Sequence, residues 1–263
     1  MFRIGGASAI AGAILGGVGN LVHPVTPEHD PVGVARVIAD SDGWVLVHLV
    51  IVLGIFLMLG GLVAVYHSIR GGLPGALARF GLFAAVVGVT IGLVLVILDG
   101  VAARQLAQEW ASAAPPEQAT ALGLVHVNET INFALASLFN FVFAAGTFIL
   151  FGLAVALSDV YPRPLGWVAI AAGIGSLAAG LVQASVGEPT GASRVLTIIG
   201  PTLITVWLLV IGILLVTRVR PGSARPAADR PGAGSWPSRP ATARPTSSRL
   251  EQHVPPGDEG ASG

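Results

Sequence analysis

Long apolar stretches alternate with short polar segments along most of this chain, and the alternation dominates its sequence. A helix needs about 20 apolar residues to cross the roughly 30 Å hydrocarbon core of a bilayer. Six stretches meet that requirement, and they cover about residues 4–22, 44–66, 80–98, 131–157, 165–186 and 195–216. The pattern therefore predicts an all-α bundle of six transmembrane helices within a domain of residues 1–217.

The segment between the third and fourth stretches carries the spacing of a helix. Val101, Leu106 and Trp110 recur at helical intervals, and Ala114-Pro115-Pro116 supplies a turn with proline at a helix start. We therefore expect span three to continue to about residue 112 and span four to begin near Glu117. The two helices would form a hairpin whose tip stands outside the membrane.

Composition supports a membrane environment and excludes several kinds of chemistry. Hydrophobic residues make up 53% of the chain and charged residues 11%, whereas soluble domains carry about 25% charged residues. The chain contains no cysteine, which excludes disulfides, thiolate catalysis, and zinc or iron–sulfur sites built on cysteine. A formal net charge of zero argues against nucleic acid as a partner, so composition predicts the lipid bilayer as the partner.

The arginines near the span ends predict the orientation of the chain. With a cytoplasmic N-terminus, the inside segments hold six of these arginines and the outside loops hold three: Arg3, Arg70, Arg79, Arg163, Arg218 and Arg220 against Arg36, Arg104 and Arg194. This distribution follows the positive-inside rule, and both termini are then cytoplasmic. Every basic residue is arginine, which we attribute to codon bias in a GC-rich bacterium. The expected location is therefore the bacterial inner membrane.

Residues 218–263 differ in composition from the rest of the chain. Proline, alanine, glycine, serine and arginine dominate this segment, and large apolar residues are scarce. Such a segment cannot bury enough apolar surface to fold. We therefore predict a disordered cytoplasmic tail, whose arginines could contact anionic lipid headgroups.

Polar residues in span four share one side of the helix. At about 100° per residue, His126, Glu129, Asn132, Asn140 and Thr147 fall within roughly one third of the helix surface. A polar stripe inside an apolar span is expected to face the bundle interior or a water-filled cavity rather than lipid. It is the strongest functional indication in the sequence.

Further polar residues are predicted to lie at the same depth in the membrane. The hairpin places Asp99 level with Glu129 and Asn132. His48 lies one turn into span two on the same side, and His23 closes span one there. The candidate pocket residues are therefore His48, Asp99, His126, Glu129, Asn132, Asn140 and Gln183.

Carboxylates surrounded by histidines allow several kinds of chemistry. They could bind a metal, share a proton, or pair with Arg104, which lies one helical turn beyond Asp99. A zinc site would take His48 and His126 as ligands, and a haem would need the same two histidines. The third zinc ligand would be a carboxylate, Glu129 or Asp99. No cofactor is predicted, because a polar network that only joins the helices explains the same residues.

Sequence motifs of known enzymes do not resolve these alternatives. The chain lacks His-Glu-x-x-His, Gly-x-Ser-x-Gly and any glycine-rich phosphate-binding loop. The overall plan resembles a bacterial family of small six-helix membrane proteins known only as a domain of unknown function. The points of likeness are Trp44 followed by His48, Leu98-Asp99-Gly100, Glu129 at the head of span four, and Ile199-Gly200-Pro201. This resemblance covers residues 1–217 and implies the fold, without an activity.

Three functional hypotheses follow from the sequence. The first is a non-enzymatic binding or transport-related protein whose outward-opening pocket takes a small molecule or an ion. Its pocket would use His48, Asp99, Glu129 and Asn132. The second is a metal-dependent membrane hydrolase with the same groups as ligands and general base. The third is a structural or accessory membrane subunit.

Overall fold

The computed structural model describes residues 1–27, 29–187 and 191–217. The predicted tail and the acidic residues Glu28 and Glu188 lie outside the described residues. The described residues form seven helices: α1 (Phe2–Val22), α2 (Pro31–Asp40), α3 (Trp44–Ser68), α4 (Gly72–Ser112), α5 (Pro115–Ala156), α6 (Arg163–Val186) and α7 (Gly191–Thr217). All six helices other than α2 contain a stretch apolar and long enough to span a bilayer. The prediction of an all-α, six-span fold is confirmed, and the orientation of the termini stays a prediction.

The predicted hairpin between spans three and four is present. Helix α4 has 41 residues and ends at Ser112, and α5 has 42 residues and begins at Pro115. At 1.5 Å per residue each helix is about 60 Å long, roughly twice the thickness of the hydrocarbon core. Helices of this length extend well beyond the bilayer.

Each of these two long helices contains a π-helical segment. Leu98–Ala102 interrupts α4, and Asn140–Thr147 interrupts α5. A π-helical turn carries one extra residue, so it rotates the side chains that follow it relative to those that precede it. Both segments contain a polar residue that the sequence singles out, Asp99 in α4 and Asn140 in α5.

Helix α2 was not predicted, although its start carries a recognisable signal. The Asp30 carboxylate accepts a hydrogen bond from the backbone N–H of Gly33, and Pro31 occupies the first helical position. Val34 and Ile38 pack against Trp44 and against the part of α4 that follows Asp99. With only 10 residues, α2 is too short to give the long apolar signal of a span, so hydropathy alone does not reveal it.

Glycines bring the helices of the bundle into backbone contact. A Cβ atom added at Gly12 of α1 would lie 2.6 Å from the backbone nitrogen of Met58 in α3. Gly88 of α4 lies against the backbone of Phe143 in α5 in the same way, and Gly92 lies against the ring of Phe139. Small residues at such crossings allow close packing where lipid provides no hydrophobic drive for association.

We predict that Gly12→Ala destabilises the bundle by about 1–3 kcal/mol, because the new methyl group must push the α3 backbone away. The thermal midpoint of the full chain in detergent measures this loss. Gly17→Ala on the same helix is the control, since its nearest new contact would be a methyl group of Thr205 at 3.4 Å. Equal midpoints for the two variants would contradict the prediction.

Tyr161 closes the turn between α5 and α6, outside the spans. Its side chain is 5% exposed, and its hydroxyl lies 2.7 Å from Ser68 Oγ. Ser68 donates its own proton to the carbonyl of Val65, so the Tyr161 hydroxyl donates to Ser68. Burial raises the pKa of Tyr161 to about 12.

This raised pKa predicts a loss of stability in alkali. Between pH 10 and about pH 12 the unfolded chain loses the Tyr161 proton while the folded protein keeps it, so stability falls as pH rises. The loss should reach about 2–3 kcal/mol at the upper end. Tyr161→Phe should remove this component from the pH dependence of the detergent unfolding midpoint. An unchanged alkaline slope in that variant would refute the assignment.

Candidate functional site

Four polar side chains and a tryptophan meet at one end of the bundle. They are His23 just after α1, Trp44 and His48 in the first turns of α3, Asp99 in α4 and Asn132 in α5; we call them the polar cluster. Four elements of the chain thus contribute to one site. Trp44, His48 and Asn132 are buried, whereas His23 and Asp99 keep 29% and 32% of their side-chain surface exposed.

The π-helical segment of α4 holds Asp99 against α3. Asp99 is the second residue of that segment, and its backbone carbonyl accepts a hydrogen bond of 2.8 Å from the indole nitrogen of Trp44. The next residue, Gly100, has no side chain and lies directly beside His48. A Cβ atom there would be 2.5 Å from His48 Cβ, so a larger residue would push the imidazole away.

Three side-chain atoms of the polar cluster converge on one point. His48 Nε2 lies 3.1 Å from Asp99 Oδ2 and 3.1 Å from His23 Nε2. The distance from His23 Nε2 to Asp99 Oδ2 is 3.8 Å. Two imidazole nitrogens and one carboxylate oxygen thus form a small triangle, and this donor set could hold a metal ion.

Backbone carbonyls define the protonation of both imidazoles. His48 Nδ1 lies 2.6 Å from the carbonyl oxygen of Trp44, and His23 Nδ1 lies 2.9 Å from that of Pro24. A carbonyl oxygen only accepts hydrogen bonds, so each Nδ1 carries a proton. In a neutral imidazole the proton is then absent from Nε2, whose lone pair faces the triangle.

The side of the cluster formed by α5 supplies amides and a second carboxylate. Asn132 Nδ2 lies 3.5 Å from Asp99 Oδ1, and Asn128 Nδ2 lies 3.5 Å from the carbonyl of Leu98. The Asn132 Oδ1 atom is buried and has no hydrogen-bond partner in the described part of the chain. Glu129 is half-buried and lies within electrostatic range of Asp99 and His23.

Negative charge dominates this end of the bundle. Arg104, one helical turn beyond Asp99 along α4, directs its guanidinium to the carbonyl of Ile38 and to Asp42. Burial lowers the pKa of His23, but the hydrogen bond and charge of Asp99 outweigh it, so the pKa of His23 is raised overall. The carboxylates therefore favour a positive charge on or between the imidazoles.

The other sequence candidates lie apart from the triangle. His126 is exposed on α5, and Asn140 is buried further along that helix, against Gly180 of α6. Gln183 donates to the carbonyl of Phe133 over 3.2 Å. Arg104 donates to the carbonyl of Ile38 and lies 3.9 Å from Asp42. The structure thus brings together His48, Asp99, Asn132 and Glu129 from the predicted set.

Two residues of the cluster were absent from the predicted pocket. The sequence indicates His23 only as the end of span one, and Trp44 only as a point of family likeness one turn before His48. The indication that the sequence offers for these two residues is their position, because both lie at the same end of the bundle as His48. The contact itself depends on how the chain leaves α1, which no hydropathy pattern describes.

The fold and the polar cluster define a multi-pass membrane protein with a histidine–aspartate site at one end of its helix bundle. The chain belongs to the family described as Domain of unknown function (DUF4386), whose model matches residues 4–212. The family resemblance predicted from the sequence is thereby confirmed. Comparison with curated proteins and with solved structures gives no match.

We predict that Trp44→Phe destabilises the protein by about 1–3 kcal/mol. The substitution keeps an aromatic ring but removes the indole N–H that donates to the carbonyl of Asp99. Detergent unfolding midpoints measure the change. Trp167→Phe is the matched control, because Trp167 is 63% exposed, and its effect should stay within about 0.5 kcal/mol. A Trp44→Phe midpoint equal to wild type would show that the hydrogen bond contributes nothing.

Proposed function

We propose that this membrane protein binds a cation at the polar cluster, in a pocket formed with His48, Asp99, Asn132 and Glu129. The observation that supports the proposal is the convergence of two imidazole nitrogens with an aspartate oxygen. The neighbouring Arg104 directs its guanidinium to Ile38 and Asp42 and leaves this carboxylate to the two histidines. A cation from solution would bind where these three groups converge and would balance the charge of Asp99.

The location of Asp99 strengthens this interpretation. An ionisable residue within a membrane-spanning helix is costly, and such residues usually pair with a partner or mark an ion or substrate pathway. Asp99 and His23 both retain exposed surface, so an ion can reach them without separation of the helices. The arginine distribution predicts that this end faces outward, and the pocket would then take its ion from outside the cell.

The proposal predicts that a cation stabilises the wild-type protein through Asp99. The unfolding midpoint of the full chain in detergent would be measured with Na⁺, K⁺, Mg²⁺, Ca²⁺, Mn²⁺ and Zn²⁺ in turn. A ligand at 100 times its dissociation constant adds about 2.7 kcal/mol of stability. At least one cation should raise the midpoint, and Asp99→Asn should abolish that rise.

Asp159→Asn is the control, because Asp159 is an exposed aspartate in the turn between α5 and α6. It should retain the full cation response. If no cation raises the wild-type midpoint, or if Asp99→Asn responds as wild type does, the proposal is wrong. A sharp loss of stability in Asp99→Asn without any cation response would favour a structural or accessory role.

A metal-dependent hydrolase is the second candidate, and Glu129 is the observation that favours it. This carboxylate lies near the triangle and forms no hydrogen bond in the described part of the structure. A carboxylate beside a bound ion is suited to act as a general base. Under this alternative, Glu129→Gln would abolish hydrolysis of a test ester or peptide and would weaken cation binding less than Asp99→Asn does.

A further inference from the structure

We infer that His23, His48 and Asp99 form a three-ligand site for a transition-metal dication of the zinc class. This inference rests on the proposed cation binding and names the ion and its ligands. The ligand atoms would be Nε2 of both histidines and Oδ2 of Asp99, which come from three separate elements of the chain.

No placement of protons gives every edge of the triangle its own linear hydrogen bond. With both Nε2 atoms unprotonated, three acceptors face one another. A single proton on His48 Nε2 serves both 3.1 Å edges only as a bent, three-centre bond. With both Nε2 atoms protonated, two donors oppose each other between His23 and His48. One cation among the three atoms accepts a lone pair from each and removes the conflict.

The dimensions of the triangle agree with the size of such an ion. Zinc binds imidazole nitrogen and carboxylate oxygen at about 2.0–2.2 Å in tetrahedral geometry, which places ligand atoms about 3.3–3.5 Å apart. The three observed separations are 3.1, 3.1 and 3.8 Å, so they lie on either side of that range. Small side-chain rotations would equalise them.

The donor set selects the class of metal. Imidazole suits zinc, copper, iron and nickel, whereas magnesium and calcium prefer oxygen ligands. Two histidines and one carboxylate are a set that also occurs in catalytic zinc sites, where the fourth position stays open. The chain has no cysteine, so thiolates elsewhere cannot compete for the ion.

Neighbouring groups hold the three ligands in the way that metal sites require. Each Nδ1–H donates to a backbone carbonyl, that of Trp44 for His48 and that of Pro24 for His23. The second oxygen of Asp99 faces Asn132 Nδ2 at 3.5 Å. Partners of this kind orient metal ligands, and their loss typically costs 10–100-fold in affinity. The buried acceptor Asn132 Oδ1, which has no donor among the described residues, adds a polar atom beside the site.

The test uses the full chain, purified without a polyhistidine tag and stripped with a chelator. Zinc content by mass spectrometry and affinity by competition with a chromogenic chelator are measured after reloading with ZnCl₂. We expect one zinc per chain. His23→Gln should lower the zinc affinity at least about 100-fold, and Asn132→Leu should lower it about 10–100-fold. His126→Gln, on an exposed histidine of α5, should leave it unchanged.

A ligand exchange gives a positive signal that a loss of folding cannot imitate. His23→Cys introduces the only cysteine of the chain. If residue 23 binds the metal, this variant loaded with CoCl₂ should show a thiolate-to-cobalt charge-transfer band that wild type lacks. It should also retain zinc binding, since thiolate is a zinc ligand.

The possible results separate the two proposals. If Asp99-dependent stabilisation is as strong with Mg²⁺ or Na⁺ as with Zn²⁺, or persists in His23→Gln, the cation site stands and the metal assignment is wrong. The absence of a charge-transfer band in a folded, cobalt-loaded His23→Cys variant would also overturn the assignment of His23. If no cation binds at all, both proposals fail together.

Discussion

Close approach of helices at glycine is the constraint on which this structure depends. In lipid, apolar side chains gain little by leaving their surroundings, so the helices must associate through tight packing and polar contacts. Gly12 places α1 on the backbone of α3, and Gly88 places α4 on α5. Gly100 applies the same principle to a polar contact, because its missing side chain leaves the space that the His48 imidazole occupies. Close approach at glycine therefore explains both how the helices pack and how His48 finds room beside α4.

At the polar cluster, the closely packed helices surround an ionisable side chain, Asp99, that lies within a membrane-spanning helix. A π-helical segment turns Asp99 toward α3, and Trp44 satisfies the carbonyl of that residue. Buried polar groups need partners, and nearly every atom of the cluster has one in the protein. In the described part of the chain the exception is Asn132 Oδ1. This atom and the close approach of His23, His48 and Asp99 are the observations on which the proposed cation site rests.

Much of the site was predictable because helical periodicity and hairpin symmetry are local properties. They placed Asp99 level with Asn132 and put His48 at the same end of the bundle. Sequence reasoning also chose His126 as the second histidine, because it shares a helical face with Glu129. The structure leaves His126 exposed and brings His23 to the cluster instead. Periodicity states which residues share a face, but it does not state which face a neighbouring helix covers.

Hydropathy and length by themselves determined the membrane environment and the six spans, because a bilayer imposes a fixed thickness and requires every backbone group to be paired within its own helix. Helical spacing and the prolines at residues 115 and 116 determined the long hairpin. The tertiary structure alone decided which polar side chains meet. His23 reaches His48 only through the path of the chain after α1, and Asp99 turns toward both through a π-helical segment that has no sequence signature. Distances of 3 to 4 Å between side-chain atoms of separate elements depend on how the helices pack. The sequence of a single helix does not specify that packing.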